Sequence, residues 1–132
     1  MRYIRHNKAP EELIDWIAQQ KSKSVNLHYN ALGQLDRGGV KVDVKRAIVI
    51  QRLKDQGYLC AYTMVRITEN NCHIEHIVPR SASEGAQDPE QTVSYSNMLV
   101  CYPQDESKGK CAFGAHAREN RTLPLTPLHP SC

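Results

Sequence analysis

The sequence lacks any apolar run near the roughly 20 residues that a membrane-spanning helix needs, and no signal-peptide pattern opens it. A cytoplasmic chain without membrane contact is expected on both counts. A strong charge excess is missing too. Seventeen Lys and Arg stand against 14 Asp and Glu, a net charge of +3. That permits nucleic-acid binding but is weak for a chain that must grip a polyanion alone. An even set of cysteines is also absent: there are five, at positions 60, 72, 101, 111 and 132. An odd number without a secretory signal argues against a disulfide framework and for thiols or metal ligands. No internal repeat or low-complexity tract appears. The composition is 40% hydrophobic and 23% charged over 132 residues. This excludes wholesale disorder and suits one domain, or one domain plus an extension, with a modest core.

Along the chain, Met1 to Pro10 reads as an exposed arm with Arg2, Arg5, His6 and Lys8. Pro10-Glu11-Glu12 starts a helix, because proline suits the first turn and acids oppose the positive end of the dipole. Leu13, Trp16 and Ile17 follow at helical spacing, with Trp16 an anchor in a core or a subunit interface. Lys21 to Gly39 is polar and breaker-rich, and only a short helical piece is expected there. Asp43 caps a second helix with Val44, Ala47 and Ile48 as its apolar stripe, widened by Ile50 and Leu53, and Gly57 supplies a left-handed stop. Lys45, Arg46, Arg52 and Lys54 make a solvated face in this reading. Tyr58 to Thr68 is β-prone but irregular, and Glu69-Asn70-Asn71 is a turn. Arg80 to Ser94 suits a long functional loop, Ala112 to Asn120 a closing helix, and Thr122 to Pro130 an extended tail.

The chemistry concentrates in Cys72-His-Ile-Glu-His-Ile-Val-Pro-Arg-Ser81. Alternation along a strand puts His73 and Glu75 on one face and His76 on the other. Pro79 cannot donate to a ladder and ends the pairing, so the polar triplet sits where a strand opens into a loop. Taken alone, such a stretch is more often a His-rich surface strand than a site. Its companions are Cys60 upstream and Asn97 and Cys101 downstream. A metalloprotease is excluded by spacing, since two zinc-binding histidines on a helix stand four residues apart and these stand three apart.

Leu59-Cys60-Ala61-Tyr62-Thr63, Glu75-His76-Ile77-Val78-Pro79 and Ser96-Asn97-Met98-Leu99-Val100-Cys101 together resemble the HNH nuclease family. The resemblance covers the second half of the chain. It is most similar to the small nuclease subunit of Septu-type and retron-associated antiphage defence systems. It implies an α+β fold, a ββα-metal finger with N-terminal helices, divided as 1–57 (arm, helices and partner docking) and 58–132 (finger and C-terminal extension). It also implies a metal-dependent endonuclease, with DNA as the default substrate and RNA open. The implied partners are an ATPase subunit and, in a retron setting, a reverse transcriptase with its DNA and RNA.

Phosphodiester hydrolysis needs an activated water, neutralised phosphate charge and a stabilised leaving oxygen. His76 is the expected base, since imidazole titrates near neutral pH. Glu75 is a hard oxygen ligand for Mg²⁺ or Mn²⁺. By the resemblance, Asn97 braces the finger and orients the histidine. His73 is a further ligand, a substrate contact or a strand hydrogen-bonder. The third element stays open between His116 and Asp105.

Relatives of this kind often carry a structural zinc on two C-x-x-C pairs. Here Thr63 and Gln104 occupy the second position of each pair. Cys60, Cys101 and Cys111 would then need a histidine or Cys132 to complete a zinc site, and the competing expectation is buried thiols. Members of the defence subgroup commonly run past the equivalent of Cys132. The isolated chain is therefore expected to be poorly soluble or inactive, and to dock an ATPase partner through Trp16. The alternative function is a non-catalytic binding module that kept the fold.

Overall fold

A computed structural model describes Ile4 and residues 8–23, 27–78 and 89–104. Pro79, Asp105, Cys111, His116, Cys132 and the expected closing helix lie outside the described residues. The order is helix α1 (Glu11–Ser22), a 3-10 turn (Tyr29–Ala31), strands β1 (Gln34–Arg37) and β2 (Val40–Asp43) and helix α2 (Val44–Asp55). Strand β3 (His73–His76), two 3-10 turns (Pro89–Val93 and Tyr95–Asn97) and strand β4 (Met98–Cys101) follow. The fold is α+β, with two separate antiparallel pairs, β1 with β2 and β3 with β4. None of the described helices is long and apolar enough to cross a membrane.

Helix α1 starts where the proline and the two acids predict, with Pro10 as its N-cap. Leu13 and Trp16 are both buried, Trp16 with only 2% of its surface exposed. They pack with Leu27, Leu32, Leu35, Val44, Ile48, Val93, Tyr95 and Met98 in one apolar cluster. The expectation that Trp16 docks a partner is therefore corrected: its ring is buried inside this chain. Sequence reading also overlooked the β1–β2 hairpin. Leu35 is the one buried residue of β1, and β2 buries none fully, so no alternating apolar pattern announces them. The signal was Gly38-Gly39, both at positive φ (59° and 89°), a pair that suits a two-residue hairpin turn.

Helix α2 is capped as expected, with Asp43 Oδ1 accepting from the Arg46 N–H at 3.2 Å and Gly57 in the left-handed region at φ 63°. Two expectations for it fail. Ile50 is exposed, whereas Arg52, assigned to the solvated face, is fully buried. The Arg52 guanidinium lies 3.8 Å from the Tyr95 ring centroid, donates to the Tyr95 carbonyl at 2.7 Å and pairs with Asp55 at 3.3 Å. Directly after α2, at its C-cap, is Gln56, whose side chain accepts from the Val100 N–H at 3.0 Å and donates to the Val100 carbonyl at 2.8 Å. A glutamine thus completes a strand-like pairing on β4, and this is how α2 is fixed to the second half of the chain.

All four residues of β4 are buried. Met98 belongs to the cluster under α1, while Leu99, Val100 and Cys101 join Ile4, Leu53, Cys60, Ala61, Ile67, Cys72 and Ile77 in a second cluster. β4 is therefore the wall between two cores, and β3 pairs along it with His73 opposite Cys101, Glu75 opposite Leu99 and His76 opposite Met98. Between the helix and β3, Tyr58–Thr68 is irregular as expected, with a β-bridge between Leu59 and Arg66 and backbone bonds from Cys60 to Val65 and from Ala61 to Val100.

Candidate functional site

β3 presents its polar side chains to two different surroundings, as its alternation predicts. On one face, His73 Nε2 and Glu75 Oε2 lie 3.2 Å apart, with 9% and 17% of their side-chain surfaces exposed. His73 Nδ1 meets the carbonyl of Pro103. A carbonyl only accepts, so Nδ1 carries the proton; Nε2 donates to the Glu75 carboxylate when the ring is an imidazolium and turns a lone pair toward it when the ring is neutral. A lone-pair nitrogen and a carboxylate oxygen at that distance fit a shared cation. A metal-binding histidine is characteristically held in this way, by donation from its other nitrogen to a carbonyl. Adjacent oxygen and nitrogen donors around an octahedral ion with bonds of roughly 2.1 Å stand about 3 Å apart, so the spacing also fits Mg²⁺ or Mn²⁺. The described residues supply no third donor: no group of three or more His, Cys, Asp or Glu gathers among them.

On the other face, His76 is buried, with 5% of its surface exposed. Its Nε2–H donates to the Thr92 carbonyl at 2.7 Å, which fixes the tautomer and leaves Nδ1 as the acceptor nitrogen of the neutral ring. Tyr29 packs edge-on against the imidazole, with centroids 4.6 Å apart and planes at 82°. The same Thr92 accepts the Tyr29 N–H through Oγ1 at 2.9 Å. The expectation of an open strand end is thus met only in part. Tyr29, from the half of the chain to which the motif does not extend, covers one edge of the ring, and Thr92 caps one nitrogen. Sequence reading identified neither residue. Thr92 acts through its backbone, which carries no sequence signal, and Tyr29 lies in a stretch without periodicity.

Asn97 is buried at the end of the 3-10 turn that leads into β4. Its Oδ1 accepts from the Val78 N–H at 2.8 Å. Its Nδ2 donates to the carbonyls of Gln91 at 3.1 Å and Val78 at 3.3 Å. The backbone adds a bond from the Ile77 N–H to the Asn97 carbonyl at 2.9 Å. One asparagine therefore joins the strand just past His76 to the turn that carries Thr92, the residue that holds His76.

Cys60 and Cys101, the expected zinc ligands, come together in the second core. The Cys101 thiol, Thr63 and the Tyr102 N–H lie within hydrogen-bond reach of Cys60 and hold its thiol well below the ordinary range. Burial pushes Cys101 well above it and Cys72 up to about 11. Thr63, at the position of an absent cysteine, contacts the sulfur that a zinc would otherwise bridge. Among the described residues this is a buried thiol pair and not a four-ligand zinc centre, and Cys111 lies outside them.

No protein-family model matches the chain. It is similar to a protein of Vibrio cholerae serotype O1 biovar El Tor named "Retron Vc95 putative HNH endonuclease", at 31% identity over 130 residues. The likeness runs over 98% of this chain and 58% of that relative. It supports an HNH endonuclease family. The similarity extends through the N-terminal half, beyond the second-half motif that the sequence alone made recognisable. The chain spans little more than half the length of this relative.

Proposed function

We propose that the chain is a metal-dependent HNH endonuclease that hydrolyses phosphodiester bonds, with DNA as the default substrate, and that the β3–β4 pair belongs to a ββα-metal finger. The observation that carries the reading is the pair of opposed settings on β3. One holds a histidine in a fixed tautomer, and the other sets an imidazole and a carboxylate side by side. His76 Nδ1 accepts the proton of the attacking water, while the Thr92 carbonyl keeps the ring oriented and disperses the charge it gains. Asn97 positions both the strand and the turn that make this contact. Glu75 and His73 would hold Mg²⁺ or Mn²⁺, with His116 or Asp105 completing the set. The ion supplies charge neutralisation at the phosphate and at the leaving oxygen.

The setting we propose is an antiphage defence system of the retron or Septu type, in which an ATPase subunit is the partner. A reverse transcriptase with its nucleic acid would be present in the retron case. The name of the Vibrio relative and the +3 charge support this setting, because a weakly basic nuclease gains substrate grip from a partner. Docking would use surface other than Trp16.

The test offers labelled DNA and RNA pools to the chain, alone and with its partner, with Mg²⁺, with Mn²⁺ and with chelator. Cleavage that requires the divalent ion and is lost in His76→Ala supports the reading. Binding without cleavage under every condition would instead establish a non-catalytic module.

A further inference from the structure

The first turn of α2 contains Lys45 and Arg46 and no acid, although cations there oppose the helix dipole. Arg46 is offset by an ion pair with Glu69 at 3.3 Å. Lys45 is exposed and has no carboxylate within ion-pair range among the described residues. Its ammonium instead sits 4.7 Å from the centroid of the Tyr29 ring, which also packs edge-on against His76. The chain of contacts runs from cation to ring to imidazole, and Thr92 anchors both Tyr29 and His76.

We propose that Lys45 is a substrate-binding residue of the cleavage site, placed by Tyr29 beside His76 to take a non-bridging phosphate oxygen of the nucleic-acid backbone. The proposal rests on the endonuclease reading and deepens it. Three features favour this role over that of an idle surface charge. The aromatic face beneath the ammonium restricts a flexible stem without neutralising it. Among the described residues no carboxylate pairs with it and so competes with a phosphate. Two successive ring contacts link it to the proposed base, Lys45 to the Tyr29 centroid at 4.7 Å and Tyr29 to His76 at 4.6 Å between centroids. In a chain of net charge +3, a single well-placed cation is a substantial share of the available electrostatic grip.

The test is a binding titration of the full chain in chelator, so that no cleavage occurs. It uses a short fluorescent single-stranded DNA and an RNA of the same sequence over a series of salt concentrations. Lys45→Ala should weaken binding roughly three- to tenfold at low salt and reduce the slope of log K against log[salt] by close to one, the signature of one lost phosphate contact. Lys45→Arg should restore both. The nucleic acid on which the loss is seen identifies the substrate class. If wild type binds and Lys45→Ala binds with the same affinity and slope, the proposal is wrong and the endonuclease reading stands. Weakened binding with an unchanged slope also overturns it, because the change then came from Tyr29 packing. If wild type alone binds neither nucleic acid, the same titration with the partner subunit present decides: an unchanged affinity and slope for Lys45→Ala there overturns the proposal, while the cleavage assay judges the endonuclease reading separately.

Discussion

Two buried polar clusters meet β4 and its lead-in turn, and they differ in the chemistry of the side chain at their centre. At the end of α2, Arg52, Asp55, Gln56 and Tyr95 are joined to one another and to the backbone. Asp55 receives the Tyr95 hydroxyl at 2.6 Å, the Gln51 amide at 3.1 Å and the Arg52 guanidinium at 3.3 Å. At the end of β3, His76, Thr92 and Asn97 are buried as deeply and also use backbone carbonyls. The first cluster is a buried ion pair held by its neighbours, with the Arg52 Nε alone of the guanidinium nitrogens left without a hydrogen bond among the described residues. Burial lowers the Arg52 pKa, while Tyr95 and Asp55 raise it, and an arginine so placed stays charged. The second cluster has at its centre an imidazole whose Nε2 donates to the Thr92 carbonyl, which makes Nδ1 the acceptor nitrogen of the neutral ring. Similar burial therefore fixes α2 to β4 in one place and, in the proposed function, orients a catalytic base in the other.

The largest effect expected from this contrast is on catalysis. His76→Ala should cost about two to four orders of magnitude in cleavage rate, with the folded state retained in circular dichroism. Next comes Asp55→Ala, which leaves the Arg52 charge buried without its partner and should cost about 3–5 kcal/mol of stability. Chemical denaturation would measure this, and activity per folded molecule should stay near wild type. The comparison breaks if Asp55→Ala abolishes cleavage in a protein still folded, or if His76→Ala unfolds the chain. Trp16→Ala should also act on stability, by about 3–5 kcal/mol for a large aromatic removed from a core. Its partner affinity should be unchanged at temperatures where the variant is folded. Release of the partner by a folded Trp16→Ala protein would restore the docking role.

What the sequence made legible follows the range of the interactions. The helix start at Pro10-Glu11-Glu12, the Asp43 cap, the Gly57 stop, the Glu69–Asn71 turn and the alternation of His73, Glu75 and His76 depend on neighbours within a few residues, and they appear as expected, with Pro10 at the N-cap and not inside the first turn. Arg52 was misassigned because a charged side chain on a helix is ordinarily solvated. Its burial depends on Tyr95, which lies 43 residues away. Tyr29 and Thr92 were invisible for the same reason: their bond spans 63 residues and runs from a backbone amide to a side chain. The β1–β2 hairpin escaped because its strands carry almost no apolar pattern, although its glycine pair was readable. Asn97 lies between these cases. Its importance came from a motif, whereas its three side-chain bonds are a matter of geometry alone.

The smallest expected effect separates side chain from backbone at Thr92. Its carbonyl holds His76, and its hydroxyl holds the Tyr29 amide. Thr92→Val keeps the shape and the carbonyl but removes the acceptor from a part-buried N–H. An unmet backbone donor there should cost about 1–3 kcal/mol. The imidazole stays in its tautomer, so kcat should change by less than about threefold, well under the loss expected for a missing base. Because the Tyr29 segment also seats Lys45, the change should appear mainly in KM and in its salt dependence. A Thr92→Val enzyme that loses kcat as heavily as His76→Ala would mean that the hydroxyl, and not the carbonyl, organises the base.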